Sequence, residues 1–289
     1  MEPRHEENRE EERGGDDEQG GEWIELLGEE VKYKLLNSAG SGLSAEIGVV
    51  VECSDLRMYR LHSAAAETIV NEDDEEEEVK GGHDDYRELI DEFPSLRAEI
   101  GQGDVVPGLE LALRSCRVGD NFCVRVSPKF AYGFETRVPL SVEMPSLPAH
   151  STVEFEGTVT RHTTPAMEFP SSASKQCLYS ALLRKEAGNR WFQFKEYLRA
   201  GRAYSAAAQM ADTFLIEAAK ERGDNNEDEE KGKEEERVTL SEISRVLVDA
   251  LNNLAASHLS NKEFFKAKET CVRVLETDPS NTKVMDSSV

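Results

Sequence analysis

The chain has 289 residues, of which 38% are hydrophobic, enough for two domains of ordinary size with a modest core in each. Its 34 basic and 58 acidic residues give a net charge of −24, and a chain this acidic is repelled by nucleic acid and by anionic membranes. No apolar run approaches the roughly 20 residues that span a bilayer. The N-terminus is acidic where a secretion signal would be basic and then apolar, so we expect a cytoplasmic or nuclear protein.

The cysteine and histidine patterns argue against a metal site. Five cysteines form no Cys-x-x-Cys pair, and the six histidines are scattered without ligand spacing. An odd number of unpaired cysteines in such a chain is typical of reduced, buried thiols. We therefore expect no disulfide, no metal and no cofactor.

Three acidic stretches divide the chain. Residues 1–21 are charged and glycine-rich and predict a disordered acidic tail. The run 71–85 predicts an acidic insertion in a folded region, and the run 221–237 lies between two helical patterns. All three read as solvated segments, since none has the glycine-centred spacing of a calcium-binding EF-hand loop.

Residues 22–162 alternate like strands. The segments that begin at Ile47, Phe122 and Ser151 are short, β-branched and bounded by turn residues. In the last of them Val153 and Phe155 alternate with glutamates, which predicts one buried and one wet face. "PGLELALRSC" predicts a short helix starting near Pro107. Antiparallel strands with one short helix predict an α+β domain.

From about residue 175 the pattern becomes helical and repeats itself. Laying residues 175–221 over the later helical stretch at an offset of 67 pairs Gly188 with Ala255, Ala200 with Ala267 and Tyr204 with Cys271. These small and aromatic positions, with Trp191 in the first copy and Pro279 closing the second, resemble the tetratricopeptide repeat, a helix pair of about 34 residues. The resemblance predicts an all-α array of helical hairpins over 175–289, with two repeats, an acidic loop at 221–237 and a third repeat that stops early. A generic helical bundle is the alternative.

The front half resembles the FKBP immunophilins. "IGQGDVVPGLELALRSCRVGDNFCVRVSPKFAYG" is similar to the family's central turn, helix and strand, and "LPAHSTVEFEGTVT" is similar to its closing strand. The resemblance covers residues 97–160 well and 30–96 poorly. It predicts an FKBP-like antiparallel sheet over residues 22–162 and a linker at 163–174 before the repeats.

The resemblance implies a peptidyl-prolyl cis-trans isomerase. In the family an apolar pocket binds a proline ring and favours the twisted amide over the planar one, without nucleophile or metal. Tyr132 would donate its hydroxyl to the substrate carbonyl. The implied pocket walls are Val105, Val106, Leu109, Leu147 and Phe155.

Two departures from the family pattern leave a second hypothesis open. Leu109 stands where the family has the tryptophan that forms the pocket floor, and Cys53 aligns with an early tyrosine. A weak isomerase acting on proline-containing clients and a catalytically inactive FKBP-like adaptor are both compatible with these changes.

The repeats resemble those of co-chaperones that bind the acidic C-terminal tails of cytosolic heat-shock chaperones. The implied carboxylate clamp consists of Lys185, Asn189, Asn253 and Lys283; Ser287 stands where a further arginine is expected. Ammonium and amide groups suit this role because they donate strong hydrogen bonds to carboxylates. Residues 175–202 carry seven basic and two acidic residues, a local charge of +5 that favours an anion-binding groove.

Overall fold

The computed structural model describes residues 21–38, 40–62, 86–133, 136–137, 144–224 and 230–281, without the side chains of 86, 221–224 and 230–235. The expected disordered tail, apart from Gly21, and the acidic insertion at 71–85 lie outside the described residues. The acidic loop at 221–237 is described only in part, and Lys283 lies outside.

The first half forms one six-stranded sheet. Its strands are β1 (Ile24–Glu25), β2 (Val31–Asn37), β3 (Val50–His62), β4 (Tyr86–Glu99), β5 (Asn121–Val126) and β6 (Val153–Thr163). They lie in the order β1-β2-β5-β6-β3-β4, and every neighbouring pair is antiparallel. The predicted strands are therefore confirmed, with β3 extending eight residues past the segment expected from the sequence.

A short helix, α1 (Pro107–Ser115), packs on this sheet as predicted. Pro107 occupies the first turn, where the missing N–H costs no hydrogen bond. Gly108 allows the close approach, because a Cβ there would lie 2.2 Å from Cγ1 of Val126 on β5. The segment before the helix, which carries Asp104 and Val105, is thereby fixed against the sheet.

The wet face predicted for β6 is wrong at Glu154, which is 2% exposed. Arg87 Nη1 donates to its Oε1 at 2.7 Å, and Arg125 Nη2 donates to its Oε2 at 3.2 Å. A buried carboxylate is tolerated when cations of this kind pair with it. Alternation along one strand cannot reveal partners that come from two other strands.

The second half is helical. A short helix, α2 (Pro165–Glu168), precedes four long ones: α3 (Ala173–Gln193), α4 (Tyr197–Asp224), α5 (Glu230–Ser260) and α6 (Phe264–Thr277). The predicted repeat offset is confirmed at the turns, where Lys195 and Lys262, 67 residues apart, have φ angles of +62° and +61°. Helices α3/α4 and α5/α6 are thus two copies of one helical hairpin. None of the helices within the described residues is long and apolar enough to cross a bilayer.

The apolar core is continuous between the two halves. One cluster of buried side chains combines the sheet and α1 with residues of the long helices, and a second lies among α3, α4, α5 and α6. The residues that the helices contribute to the first cluster are Trp191, Phe194, Ala200, Tyr204 and Leu254. The end of α3 therefore packs against the sheet rather than standing away from it.

Candidate functional site

An apolar pocket lies between the sheet, α1 and the end of α3, and we call it the aromatic pocket. Its lining residues are Leu56, Phe93, Leu96, Asp104, Val105, Val106, Leu109, Tyr132, Phe155, Arg190, Trp191 and Phe194. The volume left free is about 30 Å³, room for one or two waters. Ligand sites usually measure roughly 300–1,000 Å³. In this conformation the aromatic pocket is therefore filled by the chain's own side chains.

Five of the residues predicted for the isomerase site come together here. Val105 and Val106 precede α1, and Leu109 lies in its first turn. Phe155 lies on β6, and Tyr132 follows a 3-10 turn at the end of β5. Leu147 does not line the aromatic pocket. It is buried in the adjoining core, and its N–H and C=O pair with the backbone of Arg137 at 2.9 and 2.8 Å.

A buried ion pair that the sequence did not reveal lies beside Tyr132. Arg137 Nη2 donates to Asp91 Oδ2 at 2.5 Å, and both side chains are 2% exposed. The guanidinium carbon lies 4.4 Å from the centre of the Tyr132 ring and 3.6 Å from that of Phe194. Burial raises the pKa of Tyr132, opposed by the positive charge of Arg137, so the phenol stays protonated at neutral pH. A protonated phenol can donate a hydrogen bond, as the predicted role of Tyr132 requires.

Phe194 is the central ring of the aromatic pocket. It follows the last residue of α3 and makes edge-on contacts with three other rings. The centroid distances are 6.1 Å to Trp191 and 6.3 Å to both Tyr132 and Phe93. Edge-on aromatic pairs of this kind contribute about 0.5–1.5 kcal/mol each beyond their buried area.

Polar contacts hold α3 over the aromatic pocket. Arg184 Nη1 donates to both carboxylate oxygens of Asp104, at 3.0 and 2.8 Å. Trp191 Nε1 donates to the carbonyl of Gly103 at 3.1 Å. Arg97 donates to both carboxylate oxygens of Glu186, at 2.8 and 2.9 Å. In each arginine–carboxylate pair one nitrogen is shared by both oxygens, and such charge-assisted hydrogen bonds are stronger than neutral ones. Together with the Trp191 bond they fix the position of α3.

The sequence signals for these pocket residues are weak. Trp191 belongs to the repeat pattern, which suggests packing within a helix pair, and Phe194 belongs to no motif. Phe93 and Asp91 lie in the stretch where the family resemblance is poor. An arginine such as Arg137, eleven residues after β5, could be placed beside Asp91 only by the fold itself.

The three clamp residues within the described chain lie together, but each already has a partner. Lys185 Nζ donates to Asp249 Oδ2 at 3.0 Å. Asn189 Oδ1 accepts from Tyr204 Oη at 2.8 Å and from Asn253 Nδ2 at 3.2 Å. The local charge of +5 is also reduced, since Arg184 pairs with Asp104 and faces the sheet. The surface around these three residues therefore has fewer available cations than the sequence suggests.

Among the described residues, one group of potential metal ligands lies on the sheet: Cys123, Glu154 and Glu156. Arg87 donates to both glutamates, which gives these carboxylates a cationic partner. Burial raises the pKa of the Cys123 thiol and favours its neutral form. A protonated thiol beside arginine-bound carboxylates is a poor donor set for a cation.

The antiparallel sheet, the short helix after Pro107 and the pocket between them define an FKBP-like α+β domain, followed by an all-α array of helical hairpins. Comparison with known proteins agrees with this class. Residues 85–159, about a quarter of the chain, match the family model described as FKBP-type peptidyl-prolyl cis-trans isomerase. The chain thus carries an FKBP-type domain, and its helical region fits tetratricopeptide repeats.

Similarity to individual proteins extends over a longer stretch. The chain is 23% identical over 190 residues to FK506-binding protein 59 of Drosophila melanogaster, covering 65% of this chain and 37% of that one. It is 25% identical over 201 residues to peptidyl-prolyl cis-trans isomerase FKBP4 of Bos taurus, covering 68% and 39%. A solved multi-domain immunophilin from Arabidopsis thaliana is 16% identical, with a TM-score of 0.31 over 91% of this chain and 87% of that one. The chain spans about two fifths of the length of the curated relatives that it matches.

Proposed function

We propose that the chain is a weak FKBP-type peptidyl-prolyl cis-trans isomerase and a co-chaperone, whose aromatic pocket accepts an X-Pro segment of a client protein. The observation that carries the proposal is the convergence of Val105, Val106, Leu109, Tyr132 and Phe155 on one apolar pocket. The match of residues 85–159 to the isomerase family model supports it.

The chemistry requires binding rather than bond formation. Rotation about an X-Pro amide is opposed by a resonance barrier of about 18–20 kcal/mol. A twisted amide has lost that resonance, so its carbonyl and nitrogen no longer share charge, and a site that binds it better than the planar form lowers the barrier. In the proposed mechanism the apolar walls hold the proline ring, and Tyr132 donates its hydroxyl proton in a hydrogen bond to the substrate carbonyl. Leu109 offers less aromatic area than a tryptophan, which is why we propose weak activity.

A proline-limited peptide isomerisation assay with the full chain tests this proposal. Tyr132→Phe removes the proposed hydrogen bond, worth about 0.5–1.5 kcal/mol, and should lower kcat/KM by about 2- to 13-fold. Tyr33→Phe is the matched control, because Tyr33 lies in the core on β2 and does not line the aromatic pocket. If the wild type accelerates the reaction and both variants equal it, Tyr132 has no part in catalysis.

A second candidate function is a catalytically inactive adaptor. The specific observation that favours it is the filling of the aromatic pocket by Trp191 and Phe194, together with leucine at position 109. Full chain that fails to accelerate isomerisation at any concentration, while Leu109→Trp gains activity, would favour the adaptor.

The proposed chaperone contact is a groove beside α3 that takes an acidic peptide with a free C-terminal carboxylate. It is supported by the proximity of Lys185, Asn189 and Asn253. The side-chain amides of the two asparagines are hydrogen-bonded at 3.2 Å. Asp249 competes for the lysine, since its carboxylate lies 3.0 Å from Nζ. We therefore expect weak binding in the wild type, tighter binding in Asp249→Asn and none in Lys185→Met. Calorimetry with an acidic peptide and its C-terminal amide measures this, and equal binding of the two peptides would refute a carboxylate clamp.

A further inference from the structure

Two aromatic side chains of the helical region line the pocket that is proposed to bind a proline ring. Phe194 is 7% exposed and Trp191 is 3% exposed, and both line the aromatic pocket with Tyr132 and Leu109. We call Trp191 and Phe194 the α3 plug. Since only about 30 Å³ remains free, the α3 plug and an X-Pro segment cannot occupy the pocket together.

We propose that the α3 plug is an internal competitor for the proline site, so that the FKBP-type domain of this chain is held closed by its own helical region and binds a proline segment when the end of α3 withdraws. This inference rests on the proposed function, namely that the aromatic pocket accepts an X-Pro segment. It adds that the closed state is the resting state of the full chain.

Phe194 makes contacts that a ligand bound in the aromatic pocket would also use. Its ring lies 3.6 Å from the Arg137 guanidinium, which lies 4.4 Å from the Tyr132 ring, and the two rings meet edge-on at 6.3 Å, so Phe194 and Tyr132 share this cation. A cation held between two aromatic rings is a favourable arrangement, which a ligand that displaces Phe194 has to replace. Phe194 thus lines the same pocket as the group that is proposed to bind the substrate carbonyl, and a ligand that reaches Tyr132 has to share or take its space.

The position of Phe194 in the chain makes withdrawal feasible. Phe194 caps α3, and the next residue, Lys195, reverses the chain with a positive φ of 62°. Phe194 can therefore leave the aromatic pocket without unwinding α3, whereas Trp191 leaves when the last turn of the helix moves. Hinge motions commonly use a few residues at the ends of elements in this way.

The polar contacts explain why the closed state is the resting one. Arg184, 3% exposed at its side chain, pairs with Asp104 at the pocket rim, and its Nη2 lies 2.6 Å from Glu99 Oε2 in an ion pair that lacks hydrogen-bond geometry. Arg190 Nη2 donates to the carbonyl of Arg97 at 3.1 Å. The Arg184 contacts keep the body of α3 docked, and withdrawal of its end exchanges the Arg190 bond for water, so a ligand has to compete with that bond.

The test compares the full chain with its Phe194→Ala variant. The probe is a blocked Ala-Leu-Pro-Phe peptide, used both in calorimetry and in the isomerisation assay. Phe194→Ala vacates the centre of the aromatic pocket, and we expect at least 10-fold tighter binding and a similar rise in kcat/KM. Phe192→Ala is the matched control, because Phe192 packs edge-on to Tyr197 and does not line the pocket. It should bind the peptide like the wild type.

A second variant and a spectroscopic readout keep the test decisive if Phe194→Ala folds poorly. Trp191→Phe keeps an aromatic ring in the pocket but loses the hydrogen bond to Gly103. Because loss of one such bond weakens the docking of α3, this variant should bind the peptide about 3-fold tighter. In a Trp23→Phe background Trp191 is the remaining tryptophan. Saturating peptide should then shift its emission to the red as the α3 plug leaves the aromatic pocket.

The possible outcomes distinguish the internal competitor from the proposed proline site. Tighter binding in both plug variants, with a red shift of Trp191, supports the competitor. Equal binding and activity in wild type, Phe194→Ala and Phe192→Ala, with no shift, overturns it and leaves the proposed isomerase intact. No binding and no isomerisation in any variant, including folded plug variants, refutes the proposed proline site, and the competitor is refuted with it.

Discussion

Replacing Arg137 with methionine should destabilise the folded chain far more than replacing an exposed arginine. Arg137 and Asp91 form an ion pair at 2.5 Å with both side chains 2% exposed, and methionine keeps most of the arginine's apolar volume while deleting its charge. Breaking a buried pair leaves the other charge in an apolar site and costs about 3–5 kcal/mol. Against a typical unfolding free energy of about 5–15 kcal/mol, this is a large fraction.

Urea unfolding followed by circular dichroism measures the effect. With a slope of about 2–3 kcal/mol per molar, the midpoint should fall by about 1–2.5 M. Arg57→Met is the matched control, because Arg57 and Glu92 form a pair at 3.1 Å with side chains 53% and 48% exposed. Such exposed pairs contribute about 0–1 kcal/mol.

A double variant isolates the charge. Arg137→Met combined with Asp91→Asn no longer buries a carboxylate without its arginine, so it should recover at least about 1 kcal/mol relative to Arg137→Met alone. Two results would refute the claim that the buried pair governs the stability of this site. One is an unfolding free-energy cost for Arg137→Met as small as that for Arg57→Met. The other is a double variant that is no more stable than Arg137→Met alone.

Two further predictions concern helix packing and pH. Gly188→Ala should destabilise the chain by about 1–3 kcal/mol, because a Cβ there would lie 2.6 Å from ring atoms of the buried Tyr204. Gly201→Ala should stabilise it by up to about 1 kcal/mol, since its Cβ would lie 3.7 Å or more from its neighbours. Thermal unfolding of both variants checks this, and equal shifts in the midpoint would contradict it. Burial lowers the pKa of His162 below 6.5, and its Nε2 has no hydrogen-bond partner within the described residues. Protonation of His162 therefore favours the unfolded chain. The contribution of the neutral imidazole to stability is present above about pH 6.5 and is lost as the pH falls. NMR titration of the imidazole should give a midpoint below 6.5, and His162→Gln should weaken the loss of stability between pH 7 and 5; a midpoint at or above 6.5 would contradict this.

Local patterns predicted much of the fold. Alternation located β5 and β6, Pro107 marked the start of α1, and the offset of 67 located equivalent turns at Lys195 and Lys262. These features depend on residues close together in the sequence, so spacing alone reveals them.

Contacts between residues far apart in the sequence were not predicted. Glu154 is buried because arginines on two other strands reach it, and Leu147 lies in the core instead of the pocket wall. The docking of Trp191 and Phe194 joins residues that are about 90 positions from Gly103 and Asp104. A helical period indicates that one face is buried, but it does not say against what.

Hydrogen exchange at the Trp191 indole tests most directly the claim that α3 closes the aromatic pocket. Its N–H donates to the carbonyl of Gly103 at 3.1 Å in a side chain that is 3% exposed, while the partly exposed Trp23 serves as an internal reference in the same spectrum. If α3 closes the pocket, the Trp191 indole proton of the full chain exchanges much more slowly than that of Trp23, and the Trp191 protection falls when a proline peptide is added. Equal, fast exchange at both indoles in the absence of peptide would contradict it.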